Sequence, residues 1–200
     1  MIRFRTPSVA RVALPCILVL WCSLPATGED WLCDWQHYNG HQYRMTTPMT
    51  WLEADAQAVA VDGHLVTIND PAENQWLLET MMPFSPYSTW GAWIGLYQPE
   101  GSPEPDGGWQ WISGEPLIYT NWDVYEPNNA ANAFNEYVGE MYGPTGGHPD
   151  GLVGSGTWND LPNEGYTGVA LPGIVEVIPE PATLLLLALG TVAVSVRRRK

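Results

Sequence analysis

Two short polar clusters, Glu126-Pro127-Asn128 and Trp158-Asn159-Asp160, bracket about thirty residues rich in Gly, Pro and Asn. Their carboxylates and amides are oxygen donors, and a hard divalent cation such as calcium takes six to eight oxygen ligands. The stretch from Trp122 to Asp160 therefore reads as a loop closing around an ion. The same residue types also populate ordinary turns, where short polar side chains satisfy neighbouring backbone groups. Other chemistries find less support. His37, His41, His64 and His148 lack metal-ligand spacing, no Ser or Cys nucleophile motif is present, and nothing sets two carboxylates at the separation glycoside hydrolysis needs. The chain does not read as an enzyme.

Elements that would position such a loop are legible on either side of it. Asn39-Gly40 forms a turn between Trp31, Trp35 and Tyr38 and a strand, His41 to Met45, which together predict a first hairpin. Thr50 and Glu53 form a capping box opening a helix to about Val61, with Trp51, Ala54, Ala58 and Val61 on one face and Gly63 as a left-handed stop. A strand from His64 to Ile68 follows. Asp70 as cap and Pro71 at the first helical position start a second helix, whose apolar face carries Ala72, Trp76, Leu77 and Met81 and which Pro83 ends. Trp93-Ile94-Gly95-Leu96 predicts a buried strand in which Gly95 permits close backbone approach. Trp109 to Ile112 is a further strand candidate, and Gly173 to Val177 a last one pairing back near the first. Glu-Pro recurs at 104, 115 and 126, but the neighbouring residues share no pattern and no repeat is inferred.

The ends of the chain are of another kind. Residues 1–28 carry Arg3, Arg5 and Arg11, an apolar run from Val12 to Leu24, and small residues at Ala26 to Gly28, the pattern of a secretory signal peptide. Residues 179–200 run from Pro179-Glu180-Pro181 through about 15 apolar residues to Arg197, Arg198, Arg199 and Lys200, with the basic end marking the cytoplasmic side. At about 1.5 Å per residue that helix reaches only about 22 Å, short for a hydrocarbon core of about 30 Å. It suits transient inner-membrane insertion rather than permanent residence. Between them, residues 29–178 hold 21 acidic residues against one basic residue, Arg44. That balance excludes nucleic acid and anionic membrane surfaces as partners and favours divalent cations. Cys33 is the one cysteine in this span, so an internal disulfide is excluded.

Taken in order, Trp51-Leu52-Glu53-Ala54, Gly63 to Ile68, the second helix, Trp93 to Leu96, Glu126-Pro127-Asn128 and Trp158-Asn159-Asp160 resemble a C-type lectin domain over residues 31 to 178. The resemblance implies an α+β fold, two helices flanking antiparallel sheets with a long calcium-binding loop. The C-terminal segment resembles the PEP-CTERM sorting signal of Gram-negative bacteria, which implies recognition and removal by an exosortase. One departure is in the cysteines: where the family commonly places four, this chain has Ala58, Tyr137, Asn163 and Val175.

The resemblance implies that Glu126, Asn128, Glu136, Asn159 and Asp160 bind both Ca2+ and carbohydrate. Two adjacent sugar hydroxyls can replace calcium-bound water if each gives its proton to a carboxylate and accepts from an amide N–H. Glu126 with Asn128 supplies one such pair, and Glu136 with Asn159 the other. Counting back from Val138 lands on Asn135 as the alternative to Glu136, and with Asn135 one hydroxyl would lose its proton acceptor. The order Glu-Pro-Asn resembles the mannose, glucose or fucose type, and a cis bond before Pro127 is implied. Asp106, with Asn129 and Glu136, is a candidate auxiliary calcium group. The expected function is calcium-dependent binding of a glycan or polysaccharide outside the cell, membrane-associated through the C-terminal segment before processing. A lectin-like domain holding a protein partner without sugar is the alternative.

Overall fold

The computed structural model describes residues 31–130, 135–146, 155–165 and 168–179. The expected signal peptide, the apolar C-terminal segment and His148 lie outside the described residues. Among the described residues no helix is long and apolar enough to cross a membrane.

The chain begins with a hairpin of β1 (Gln36–Tyr38) and β2 (His41–Met45), antiparallel and joined by Asn39 and Gly40, both at positive φ as a tight hairpin turn requires. Helix α1 (Trp51–Val59) opens on the expected capping box: the Thr50 hydroxyl accepts from the Glu53 N–H, and the Glu53 carboxylate accepts from the Thr50 N–H. Trp51, Ala54 and Ala58 form its buried face. The left-handed residue that ends the turn is Asp62 (φ 58°), which corrects the expectation for Gly63. Glycine at 63 serves another need, because a Cβ there would collide with the Glu176 carbonyl. Strand β3 is shorter than expected, His64–Leu65, although the Val66 N–H still bonds the Ile174 carbonyl at 2.8 Å.

Helix α2 (Pro71–Thr80) is capped by Asp70, whose carboxylate accepts from the Ala72 and Glu73 N–H groups. Its inner face is not the apolar stripe expected. Ala72 is exposed, while Glu73 and Asn74 are buried beside Leu77. The two polar side chains are satisfied across the fold: Glu73 accepts from the Tyr43 hydroxyl at 2.8 Å and from the Asn69 N–H at 2.9 Å. Tyr43 also reaches Glu176, which pairs with His41. These bonds tie α2 to the sheet that carries β2.

The remaining strands are β4 (Ala92–Tyr97), β5 (Gln110–Trp111), β6 (Val138–Met141), β7 (Trp158–Leu161) and β8 (Ile174–Val177). Two four-stranded sheets result, both antiparallel, ordered β1-β2-β8-β3 and β5-β4-β6-β7. The last strand thus returns to the first hairpin, next to β2. Two helices and two antiparallel sheets make the fold α+β. The expectation of one loop from Trp122 to Asp160 is corrected: β6 lies inside it, and Asn159 and Asp160 sit on β7.

The core fills the space around both sheets. One part gathers Tyr43, Met45, Leu77, Ile94, Trp111 and Trp158; the other gathers Trp51, Ala54, Leu65, Trp93, Val138 and Val175. At the positions where the family carries cysteines, Ala58 and Val175 are wholly buried in the second part, and Asn163 accepts from the Leu52 N–H at 2.9 Å, fastening the start of α1. Gly95 has the close approach read from the sequence, since a Cβ there would strike the Leu65 carbonyl. Gly95→Ala is expected to cost about 1–3 kcal/mol of stability by overpacking, read as a lower urea midpoint with unchanged m-value.

Candidate functional site

Trp158 anchors the site. Its indole N–H donates to Asn74 Oδ1 at 2.9 Å from α2, and Trp111, Tyr119 and Trp122 pack edge-on around it. Its backbone bonds the segment leading into the first polar cluster, with the Asp123 N–H on the Trp158 carbonyl and the Trp158 N–H on the Asn121 carbonyl, each at 2.8 Å. The two polar clusters are therefore held side by side although about thirty residues separate them. Asn74, which the sequence reading did not single out, is what α2 contributes to this anchor.

Asp160 lies at the centre, with no exposed surface. Its Oδ1 accepts from the Asn128 N–H at 3.0 Å and its Oδ2 from the Asn129 N–H at 2.9 Å, which folds the segment after Pro127 over β7. The Glu126–Pro127 bond is cis, as is Glu104–Pro105. The Glu126 carboxyl lies against Asp160, and its Oε2 is buried without a donor. Burial first, then Asp160, Glu136 and Asp123, push Glu126 up to about 9. Burial also raises Asp160, with the two backbone N–H groups pulling the other way.

The structure places Glu136 and Asn135 on different sides. Glu136 is buried, accepts from the Ala130 N–H and donates its own N–H to Asn129 Oδ1 at 3.0 Å. Asn135 is exposed, accepts from Asn129 Nδ2 at 3.0 Å and donates to Glu104 Oε1 at 3.1 Å. Asn159 is buried and donates to Glu140 Oε1 at 3.0 Å, while the Asn128 side is exposed. Asp106 is exposed, and Asn129 and Glu136 of the auxiliary group adjoin one another.

Glu140 was not read from the sequence as part of the site. It is buried on β6 opposite Asn159, its Oε2 has no donor, and burial, with lesser contributions from Glu136 and Asp160, raises it to about 8. The available signal was a carboxylate in an otherwise apolar Val-Gly-Glu-Met run, a pattern that either breaks a strand or marks a buried charge needing a partner.

Four acidic side chains, Glu126, Glu136, Glu140 and Asp160, thus act on one another in a buried space, two of them with an oxygen lacking a donor. That donor chemistry fits a hard divalent cation, which would neutralise the repulsion and occupy the orphaned oxygens. The side chains do not present a finished cage: among the described residues no group of three or more His, Cys, Asp or Glu is arranged to hold a metal. The physical reason is visible, since Asp160 and Glu136 are turned onto backbone N–H groups.

Comparison with known proteins settles the family. A family profile described as Lectin C-type domain matches residues 47–164, more than half of the chain. The chain belongs to the C-type lectin domain family. Residues 177–200 match the PEP-CTERM protein-sorting motif. Among curated relatives of this lectin domain, Snaclec EMS16 subunit alpha of Echis multisquamatus is 34% identical over 53% of this chain and 69% of its own length. Lithostathine of Bos taurus is 36% identical over 52% of this chain and 59% of its own. Among solved structures, the cow C-type carbohydrate-recognition domain of CD23, determined in the presence of GlcNAc2Man3 oligosaccharide, aligns with TM-score 0.55 at 25% identity, covering 74% of this chain and 98% of that one. Lectin domains of this family generally bind Ca2+, and membership places the chain among binding proteins and not enzymes.

Proposed function

We propose that this lectin domain is an exported bacterial protein that binds carbohydrate through calcium, with Glu126, Asn128, Glu136, Asn159 and Asp160 as ligands of both. The observation that carries the reading is the buried meeting of Glu126, Glu136 and Asp160 around an oxygen with no donor. These residues would hold a calcium ion, which would supply Lewis-acid coordination for adjacent sugar hydroxyls. Glu126 and Glu136 accept hydrogen bonds from the hydroxyls, and the amides of Asn128 and Asn159 donate to the hydroxyl oxygens. Asp160 orients the segment through its two backbone bonds. Glu126 preceding Asn128 favours the mannose, glucose or fucose type of ligand.

The sorting motif supports a route in which residues 1–28 direct export, residues 29–178 fold as the binding domain, and residues 179–200 enter the inner membrane transiently before an exosortase removes them. The product then acts at the cell surface or in extracellular matrix.

Calorimetry tests the site. Calcium is expected to give a saturable heat, mannose to bind only afterwards, and Asn128→Ala to weaken calcium by about tenfold through loss of one neutral ligand. No calcium heat in the wild-type chain would overturn site and mechanism together. One observation favours a second reading, a lectin-like contact with a protein: Asp160 and Glu136 already have backbone partners. Competition separates the two, since soluble monosaccharide displaces a sugar-bound partner and leaves a protein contact intact.

A further inference from the structure

A cavity of about 540 Å³ opens between α1, the end of β4 and the residues leading into β6. Its walls include Trp51, Tyr97, Ile112 and Tyr137, and Asp55, Glu100 and Gln98 lie among them. The size and largely apolar wall are those of a small-molecule site. Two of the polar side chains hold a buried acceptor without a donor. Gln98 is 3% exposed and gives its Nε2 to the Gly107 carbonyl at 2.7 Å, which leaves its Oε1 buried without a donor. Asp55 Oδ1 is likewise buried without a donor. The Trp51 indole N–H is committed to the Ile94 carbonyl at 2.8 Å.

Among the described residues no Lys or Arg is left for these acids. Arg44, the one Lys or Arg among the described residues, donates to the Cys33 carbonyl at 2.9 Å and stacks over Trp31. His64 acts on Asp55 electrostatically, but its Nδ1 is taken up by the Leu65 carbonyl at 2.9 Å. The missing component is a positively charged donor with an apolar body, able to meet carboxylates and aromatic faces together.

We propose that this cavity is a calcium-independent site for a primary ammonium carried on a compact aliphatic or sugar body. The ammonium meets Asp55 and Glu100, and its carbon skeleton lies against Tyr97 and Tyr137. Burial pushes the Asp55 carboxyl up, which a bound cation would reverse.

The full chain, in excess EDTA, is titrated with glucosamine, with 1,5-diaminopentane and with neutral N-acetylglucosamine, following heat and tryptophan fluorescence. Saturable binding of at least one amine and none of the neutral sugar is expected, and the amine that responds identifies the body. Asp55→Asn and, on the exposed rim, Glu100→Gln are each expected to weaken it about tenfold, the loss of one charge-assisted hydrogen bond. The Glu100 variant provides the reading if Asp55→Asn fails to fold. No saturation with either amine, an equal response to N-acetylglucosamine, or unchanged affinity in the folded variants would each overturn the assignment. Because the titration excludes calcium, its outcome is separate from that of the calcium and sugar experiments.

Discussion

Asp160→Ala is expected to abolish calcium-dependent glycan binding and to lower the stability of the chain even in chelator. The substitution removes a proposed ligand and also the acceptor of the Asn128 and Asn129 N–H groups. Bonds to a charged acceptor contribute about 1.5–3 kcal/mol each, and relief of the cost of burying the Asp160 carboxylate offsets part of their loss. A net cost of about 2 kcal/mol is expected, measured by urea denaturation in EDTA. Calcium affinity should fall by more than the roughly 10- to 100-fold typical of removing a supporting residue around a metal. Asp160→Asn keeps the shape and one of the two acceptors, so it is expected to cost less than Asp160→Ala in EDTA while still losing calcium. Undiminished calcium heat in Asp160→Ala would remove this residue from the site.

The second large effect is on pH. Glu140 and Glu126 are raised in the fold to about 8 and about 9, from an ordinary value of 4.5, and burial is the main cause for both. In the unfolded chain both protons leave near the ordinary value. Between pH 4.5 and 8 the folded state therefore holds more protons than the unfolded state, and stability must fall as pH rises. In chelator the chain is expected to be most stable near pH 5 and to lose a few kcal/mol by pH 8, with Glu126 and Glu140 both contributing. Glu140→Gln should flatten that slope, leaving stability at pH 5 nearly unchanged and raising it at pH 8. Calcium should stabilise the wild type more at pH 8 than at pH 6, because at the lower pH it must displace protons. A slope unaffected by Glu140→Gln would mean that the pH dependence originates elsewhere.

What the sequence made legible was local. Thr50 with Glu53 and Asp70 with Pro71 are complete instructions within four residues, and both helices begin where those signals put them. The polar clusters at 126–128 and 158–160 were legible for the same reason. Features that depend on a distant neighbour were not. Gly63 looks like a helix stop until β8 is seen against it, Ala72 looks like core until Glu73 and Asn74 find Tyr43 and Trp158, and β6 is four residues inside a stretch rich in turn formers. Glu140 is the extreme case. Its significance comes from its burial and from Asn159 across the β6–β7 ladder.

Strand β8 is bonded on both edges, to β2 and to β3, and it is the last element before the sorting segment. Any load applied at the C-terminal end of the domain enters the fold through β8. Pulling along the strand loads both ladders in shear, so their bonds share the force instead of parting one at a time. The two-sided placement of β8 thus protects the end of the domain against being peeled away strand by strand.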